Sequence, residues 1–444
     1  MKYFVFLIAL AGIPPLIFLL HINQKWLKYV FWLMIMAMCL YLSTSINFFS
    51  NEAYRGSARG MEVSLIHLLS FAVLGVLQMR RQIRGILPEW GYRIYVIYFL
   101  LCLPSLSQAA DLLISWFEVW KMIMLFFFYL AVYQYLRATD DLKTVIGGLA
   151  VLVLINFAMV VRNHLAGTYQ PNGIFPHQNS MAIAMHLLGA LFFAHYLMNG
   201  KRTMFDKLCL VAFVCAAAAT VRSYSRVAIA LMGVTYGVTA MACLVRGGSP
   251  FQKLRRMLPL IIVGAIGVAA MLPRIIERFL YAPEASGNTR VELALCAKEM
   301  IVDKPLTGVG INNWGIKINQ PYDYALRAGR IPDRGEDFKD GIVETVYLLV
   351  GAECGVPALL AMLAWFFWYW ISCLRLLKRL KNTRYFFIPA GLLGGLTAAY
   401  AQSCFEWVLR QQLNLICIMF LFAILSYLNT RWRWLRSVEL EAGK

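Results

Sequence analysis

Val343-Glu344-Thr345-Val346-Tyr347-Leu348-Leu349-Val350 marks the point where a long polar stretch runs into an apolar run. Upstream of it, Arg274 to Gly341 is the only long segment whose composition would let it fold in water. Outward from this junction in both directions the chain is mostly apolar: 60% of its 444 residues are hydrophobic and 15% charged, with mean hydropathy +0.64. Such a balance excludes an ordinary soluble domain. About 20 apolar residues carry a helix across about 30 Å of hydrocarbon. Runs of that kind fall at roughly 3–20, 27–48, 62–79, 94–108, 117–136, 144–161, 181–199, 207–221, 226–245, 258–273, 343–373, 385–404 and 411–428. They are too long and too evenly apolar for barrel strands, which alternate in polarity. The expected fold is therefore all-α, a polytopic transmembrane helical bundle of about 12–13 spans. It is expected to form one membrane domain over 1–444 with one large loop between spans, 274–341.

The formal net charge of +19 would fit a nucleic-acid binder, but the Lys and Arg residues sit mainly in short loops between apolar runs, where they set orientation. Alternate loops gather Lys25 and Lys28; Arg80, Arg81, Arg84 and Arg93; Arg137 and Lys143; Lys201, Arg202 and Lys207; Arg246, Lys253, Arg255 and Arg256; Arg375, Lys378, Arg379, Lys381 and Arg384; and Arg431, Arg433 and Arg436. These loops are assigned to the cytoplasm. The 274–341 loop is then external although it carries ten Lys and Arg residues, which a long translocated loop permits. An anionic ligand would give them a purpose. The ten cysteines show no paired spacing, so neither a disulfide framework nor a metal site is expected. The first apolar segment has no small-residue cleavage site and is expected to be retained.

Candidate chemistry lies on the external side. Arg222 and Arg226 flank the turn Arg222-Ser223-Tyr224-Ser225-Arg226 at a membrane edge, where charge is costly and tends to be paired or functional; a guanidinium also suits phosphate. Both could equally snorkel to the interface. Gly287-Asn288-Thr289-Arg290 reads as a helix start that puts Arg290 among exposed first-turn N–H groups, a reasonable anion site. The Gly308-Val309-Gly310 turn reads as structural. Glu344 opens a span, where a carboxylate could take a proton from an attacking hydroxyl or simply favour a helix start. His177 and Asn179 lie in an external loop, Lys121 heads the Met122 run, and Arg327, Arg330 and Arg334 form a basic run. Trp314, Tyr322 and Tyr324 could stack on sugars or rest on the membrane. No charged residue is read in the middle of a span, and no inverted repeat is evident, which argues against a transporter.

Taken together, Gly173-Ile174-Phe175-Pro176-His177-Gln178-Asn179, Ser225-Arg226, Arg290 with its helix, Lys304-Pro305-Leu306-Thr307-Gly308-Val309-Gly310, and Tyr347-Leu348 with Glu353-Cys354-Gly355-Val356 resemble the O-antigen ligase and polymerase family of bacterial envelope glycosyltransferases. The resemblance covers roughly 140–370. It implies transfer of glycan from an undecaprenyl diphosphate carrier on the periplasmic face of the inner membrane, without metal or nucleotide sugar, so that no cofactor is expected, and the loop placement of the charge leaves no nucleic-acid partner expected. It implies Arg226 and Arg290 as holders of the diphosphate and places Glu344 at the position of the base; Arg222, His177, Asn179, Lys121, Arg327 and Arg330 are candidate substrate contacts from their external placement. Where ligases of the family carry His-Asn, this chain has Glu344-Thr345. That difference moves the expectation from a ligase acting on lipid A-core or protein toward a polymerase of exopolysaccharide or O-antigen repeat units. Expected partners are the carrier-linked glycan, an acceptor glycan or lipid, the bilayer, and chain-length regulators or other polysaccharide assembly proteins. The alternative from another class is a lipid-linked oligosaccharide transporter.

Overall fold

A computed structural model describes residues 2–83, 85–199, 203–246, 249–280, 284–329 and 341–442. Arg330 and Arg334, with Arg84, Lys201 and Arg202, lie outside the described residues. The chain runs through α1 (Lys2–Ala11), α2 (Ile13–Ile22), α3 (Leu27–Met36), α4 (Tyr41–Thr44), β1 (Ile46–Ser50), β2 (Gly60–Val63), α5 (Leu65–Met79), α6 (Trp90–Cys102), α7 (Leu112–Thr139), α8 (Leu142–Leu165) and α9 (Gln178–Met198). It continues through α10 (Met204–Arg222), α11 (Arg226–Arg246), α12 (Pro250–Leu280), α13 (Glu284–Asp303), α14 (Trp314–Lys317), α15 (Tyr324–Arg327), α16 (Val346–Arg379), α17 (Phe387–Gln402) and α18 (Gln412–Ala442). This is an all-α, polytopic membrane bundle. Among the described residues, eight helices are long and apolar enough to cross a bilayer.

The expected spans are not all realised as long helices. The 27–48 run breaks at Ala37 to Leu40 into α3 and α4 and then enters β1. β1 pairs antiparallel with β2, Ile46 opposite Val63 and Asn47 opposite Glu62, with an irregularity before Ser50 meets Gly60. β-branched and aromatic residues at Ile46, Phe48 and Phe49 suit a strand as well as a membrane helix, so apolarity alone could not separate the two. The 94–108 run is a 13-residue helix followed by a 3-10 turn that carries Pro104 in its first turn. Gln402 ends α17 after 16 residues. Helix α12 extends the 258–273 run to Leu280, so the polar stretch begins later than Arg274.

Backbone packing divides the chain into two compact units. The first comprises Met1–Asp141, Glu284–Trp368 and Ser403–Ser426; the second comprises Leu142–Pro283, Tyr369–Gln402 and Tyr427–Lys444. In the first, α5 packs on α7, α2 and α3, and aromatic stacking supports the core: Tyr92 on Tyr129 at 3.8 Å and Phe31 on Tyr135 at 3.7 Å between ring centroids. The polar stretch has an apolar core of its own. Leu293, Cys296, Ala297 and Met300 of α13 cluster with Val309, Trp314, Ile318, Tyr324, Val343, Leu349 and Ala352, which is how a largely polar segment acquires a fixed shape. In the second unit, α9 packs on α10 and α17, and α17 on α11. Here α17 approaches so closely that a Cβ on Gly391 would lie 2.6 Å from the Ala190 carbonyl oxygen and one on Gly394 would lie 2.2 Å from Thr239 Oγ1. Such small-residue contacts let membrane helices pack without an aqueous hydrophobic drive.

One break organises the first unit. α16 is interrupted at Gly355, whose φ of 83° and ψ of 169° leave the helix. The gap is filled by the Pro305 to Gly310 turn: Val356 N–H donates to Pro305 O at 2.8 Å, Val309 N–H to Ala352 O at 2.9 Å and Gly310 N–H to Glu353 O at 3.0 Å. The Val356 amide and the Ala352 and Glu353 carbonyls at the break thereby find partners inside the protein, as a low-dielectric setting requires. A Cβ on Gly308, at φ +66°, would sit 2.4 Å from the Glu353 carbonyl carbon. Gly85 also has positive φ, +79°, but open space around it. Gly85→Ala is therefore expected to cost about 1–2 kcal/mol, the left-handed backbone penalty alone. Gly308→Ala adds a backbone collision, and thermal unfolding in detergent should show it clearly the more destabilised of the two; equal melting would refute the close fit.

Candidate functional site

The break in α16 leads directly to a buried polar cluster in the first unit. Asn312 and Asn313 follow the Gly308 to Gly310 turn and are fully buried. Asn312 Nδ2 donates to Ala58 O and Ile114 O, both at 2.8 Å. Its Oδ1 accepts from Ala58 N–H at 3.2 Å and Ser57 Oγ at 3.1 Å. Asn313 Oδ1 accepts from Ala110 and Asp111 N–H at 2.9 Å, and its Nδ2 reaches Ser115 Oγ at 2.8 Å. Two adjacent amides thus clamp the polar stretch to the N-terminus of α7, whose cap is Asp111. An amide with two donors and an acceptor suits this role because it satisfies several backbone groups without introducing charge.

Below the clamp lies an ionic network. Arg410 is 3% exposed, Glu118 1%, Glu353 1% and Lys121 6%. The Arg410 guanidinium meets Glu353 Oε2 at 3.1 Å and Glu118 Oε1 at 3.4 Å, and donates to Tyr98 Oη at 3.2 Å. Lys121 Nζ lies 2.6 Å from Glu118 Oε2 and donates to Arg410 O at 2.8 Å and Ser57 O at 3.2 Å. Ser57 Oγ donates to Glu118 Oε2 at 2.8 Å. Burial works against charge on Arg410, but Glu118, Tyr98 and Glu353 outweigh it and hold its pKa above the usual arginine value. Two cations and two carboxylates balance within the cluster, which is the condition under which charges survive burial.

The second feature of this unit is the Arg290–Glu344 pair. Arg290 Nε donates to Glu344 Oε2, with the side chains 35% and 39% exposed. Glu344 lies just before α16, whose first amide, Val346 N–H, donates to Ser403 O at 3.1 Å. Helix α13 begins at Glu284, so Arg290 is its seventh residue and has no exposed first-turn N–H groups around it. Glu284 and Ala285 are good helix formers, and the helix simply continues through Gly287 and Asn288. Arg290 is thus a helix-face arginine that engages a carboxylate.

Several expected contacts are otherwise committed. Lys121 is the tenth residue of α7, not the start of a run, and its three donors are all taken up internally. Trp314 is fully buried and its indole donates to Gly341 O at 2.9 Å, so it cannot stack on a sugar. Tyr324 is buried and its hydroxyl donates to Asp303; burial, with that carboxylate beside it, pushes the phenol up to about 12. Arg327 lies over the Tyr324 ring at 4.7 Å and its side chain is exposed. Tyr322 receives Lys317 Nζ over its ring at 3.7 Å.

The second unit holds the remaining candidates. Arg222 ends α10 and Arg226 starts α11, so the two flank a true helix break, with Tyr224 at φ +50°. The Arg222 guanidinium donates to Tyr224 Oη at 3.1 Å and contacts His164 Nε2. Tyr224 stacks on Tyr169 at 5.5 Å. Arg226 is half-buried. His177 is the N-cap of α9, its Nδ1 accepting from Asn179 N–H at 3.2 Å, and Gly173, at φ +59°, packs against Asn156, whose Oδ1 accepts from Ile174 N–H at 3.0 Å. The 173–179 motif is therefore a built turn into α9.

The absence of charge within spans does not hold: Glu118 and Lys121 lie within α7 and Glu353 within α16, all buried. The signal was present as Glu118 and Lys121 one turn apart in an otherwise apolar run, and as Arg410 beside the last span. Among the described residues, no group of three His, Cys, Asp or Glu side chains is placed to hold a metal. Comparison with models of known protein families and with curated proteins finds no match for this chain.

Removing Arg410 leaves Glu353 and Glu118 facing each other in a buried setting. Arg410→Met is expected to lose about 3–5 kcal/mol, the usual cost of breaking a buried pair. Adding Glu353→Gln should recover part of it, because the two changes share one interaction. Thermal unfolding of the purified variants measures both; independent, additive losses would contradict the network.

Proposed function

We propose that this chain is a membrane glycosyltransferase that polymerises exopolysaccharide or O-antigen repeat units, transferring glycan from undecaprenyl diphosphate to an acceptor sugar hydroxyl. The observation that carries the reading is the half-exposed Arg290–Glu344 pair beside the start of a membrane-spanning helix. It combines a phosphate-binding fork and a proton acceptor, and it joins the Arg290 motif behind the resemblance to Glu344, the position just before Tyr347-Leu348 where the chain departs from the ligases. In this reading a diphosphate draws Arg290 away from Glu344 and frees the carboxylate. The acceptor oxygen then attacks the anomeric carbon, the carbon–oxygen bond to the diphosphate breaks, the diphosphate leaves as an anion held by Arg290, and the hydroxyl proton passes to Glu344. A single displacement inverts the anomeric configuration. Arg226, at the head of α11, is assigned anion binding by the same resemblance, and the active face is assigned to the periplasm by the charge bias of the loops.

A second reading keeps one specific observation. The buried charges Glu118, Lys121, Glu353 and Arg410 are the kind of intramembrane ionisable group that marks a transport path, which favours a lipid-linked oligosaccharide transporter. Their complete mutual pairing favours a structural role and ranks this reading second. A ligase that hands glycan to lipid A-core or protein differs from the polymerase only in its acceptor.

Glu344→Gln should slow transfer about 10²–10⁴-fold, the contribution of a general base. Arg226→Ala and Arg290→Ala should abolish long-chain glycan on a gel while membrane insertion persists. Normal chain-length ladders in either arginine variant would overturn its assignment. Full activity in Glu344→Gln would move the base elsewhere, with His177 the next candidate, and product with the anomeric configuration of the carrier-linked donor would exclude single displacement.

A further inference from the structure

The second unit carries a basic cavity that the transfer reading does not use. At the C-terminal end of α16, a cavity of about 190 Å³ is lined by Lys378, Arg379, Lys381 and Arg436, with Glu439 as the acid in its wall and Asn382 and Thr383 completing it. Glu439 is already engaged: its Oε1 accepts from Arg384 N–H at 3.0 Å and its Oε2 lies 3.8 Å from the Arg384 guanidinium. Four cations against one occupied acid leave a net of about three positive charges around one concavity.

Cations at helix ends and in cytoplasmic loops have an ordinary explanation in the helix dipole and the orientation rule. That explanation calls for no cavity. It also does not account for the neighbouring aromatics. Arg379 lies over the Trp432 ring at 5.0 Å, Arg433 over the same ring at 5.4 Å and Arg431 over Trp434 at 4.8 Å. Tryptophan interleaved with arginine at the end of a span marks the depth of the lipid headgroups. The cavity therefore sits at headgroup level, and it is smaller than the roughly 300–1,000 Å³ that small-molecule pockets occupy. A compact anion fits; a nucleotide or an acyl chain does not.

The geometry points to a binding site for the phosphodiester headgroup of an anionic phospholipid, with Lys378, Lys381 and Arg436 as direct partners and Arg379 held in place by Trp432. Basic pockets between membrane helices on the cytoplasmic side recognise such headgroups by the same chemistry. The acyl chains remain in the bilayer beside Trp434, which is 40% exposed.

The test uses the full-length protein in a neutral detergent, with thermal shift titrations of dioctanoyl phosphatidylglycerol, dioctanoyl phosphatidylcholine and sodium phosphate. Phosphatidylglycerol is expected to raise the melting midpoint of the wild type in a saturable way and phosphatidylcholine is not. Each neutralised cation should weaken binding about fivefold, so Lys378→Gln/Lys381→Gln/Arg436→Gln should bind roughly 100-fold more weakly. All three positions are exposed, so the variant should fold. A control with three other cations removed, Lys25→Gln/Lys28→Gln/Lys207→Gln, should retain wild-type affinity. Unchanged affinity in the cavity variant, or an equal loss in the control, overturns the site. A shift with sodium phosphate equal to that with phosphatidylglycerol overturns the lipid as its source.

Discussion

The backbone exchange at the break in α16 is the constraint from which the first unit follows. A helix entering a membrane must satisfy its amides internally, and a break at Gly355 would leave them orphaned. The Pro305 to Gly310 turn fills the gap with three backbone hydrogen bonds, and Gly308 permits it to come that close. Once the turn is seated there, Asn312 and Asn313 fall against the N-terminus of α7. Glu353, whose own carbonyl takes part in the exchange, presents its carboxylate to Arg410. The same helix starts beside Glu344, so the placement of the Arg290–Glu344 pair depends on the anchoring of α16 and α13 on either side of one shared apolar core.

Two kinds of charge emerge from this arrangement, and they differ in accessibility. The Glu118–Lys121–Arg410–Glu353 cluster is closed: its charges balance, its donors are nearly all engaged, and removing a member is costly because water cannot replace it. The Arg290–Glu344 pair is open, each partner about one third exposed, so the pair can be parted by an incoming anion. Buried balance suits a scaffold, and exposed pairing suits chemistry. That contrast is why the transfer reading rests on the second and the transport reading on the first.

Much of the fold was legible because length and apolarity suffice to mark a membrane helix: α7 to α11 and α18 fall where the apolar runs predict. What misled was the use of apolarity without period or partners. Ile46 to Ser50 reads as the tail of a span yet pairs as a strand with Gly60 to Val63. Gly287 to Arg290 reads as a helix start, but helix propensity upstream carries the start of α13 back to Glu284. At the site, Arg290 was visible as an anion-binding candidate in the polar stretch and Glu344 as a carboxylate opening a span, whereas their contact was not, since 54 residues separate them. Lys121 was visible one turn from Glu118, whereas its other partners, the Ser57 and Arg410 carbonyls, were not. Pairing across sequence is what the linear pattern does not carry.

The central claim is that a glycan bond to a lipid diphosphate is broken and remade by this chain. It is tested most directly with the purified protein in liposomes given a defined undecaprenyl-diphosphate-linked repeat unit, measuring free undecaprenyl diphosphate and glycan length together. Release of one carrier diphosphate for each repeat unit added is the result predicted. Recovery of the intact carrier-linked unit on the opposite side of the bilayer, with no carrier freed and no glycan lengthened, would contradict it.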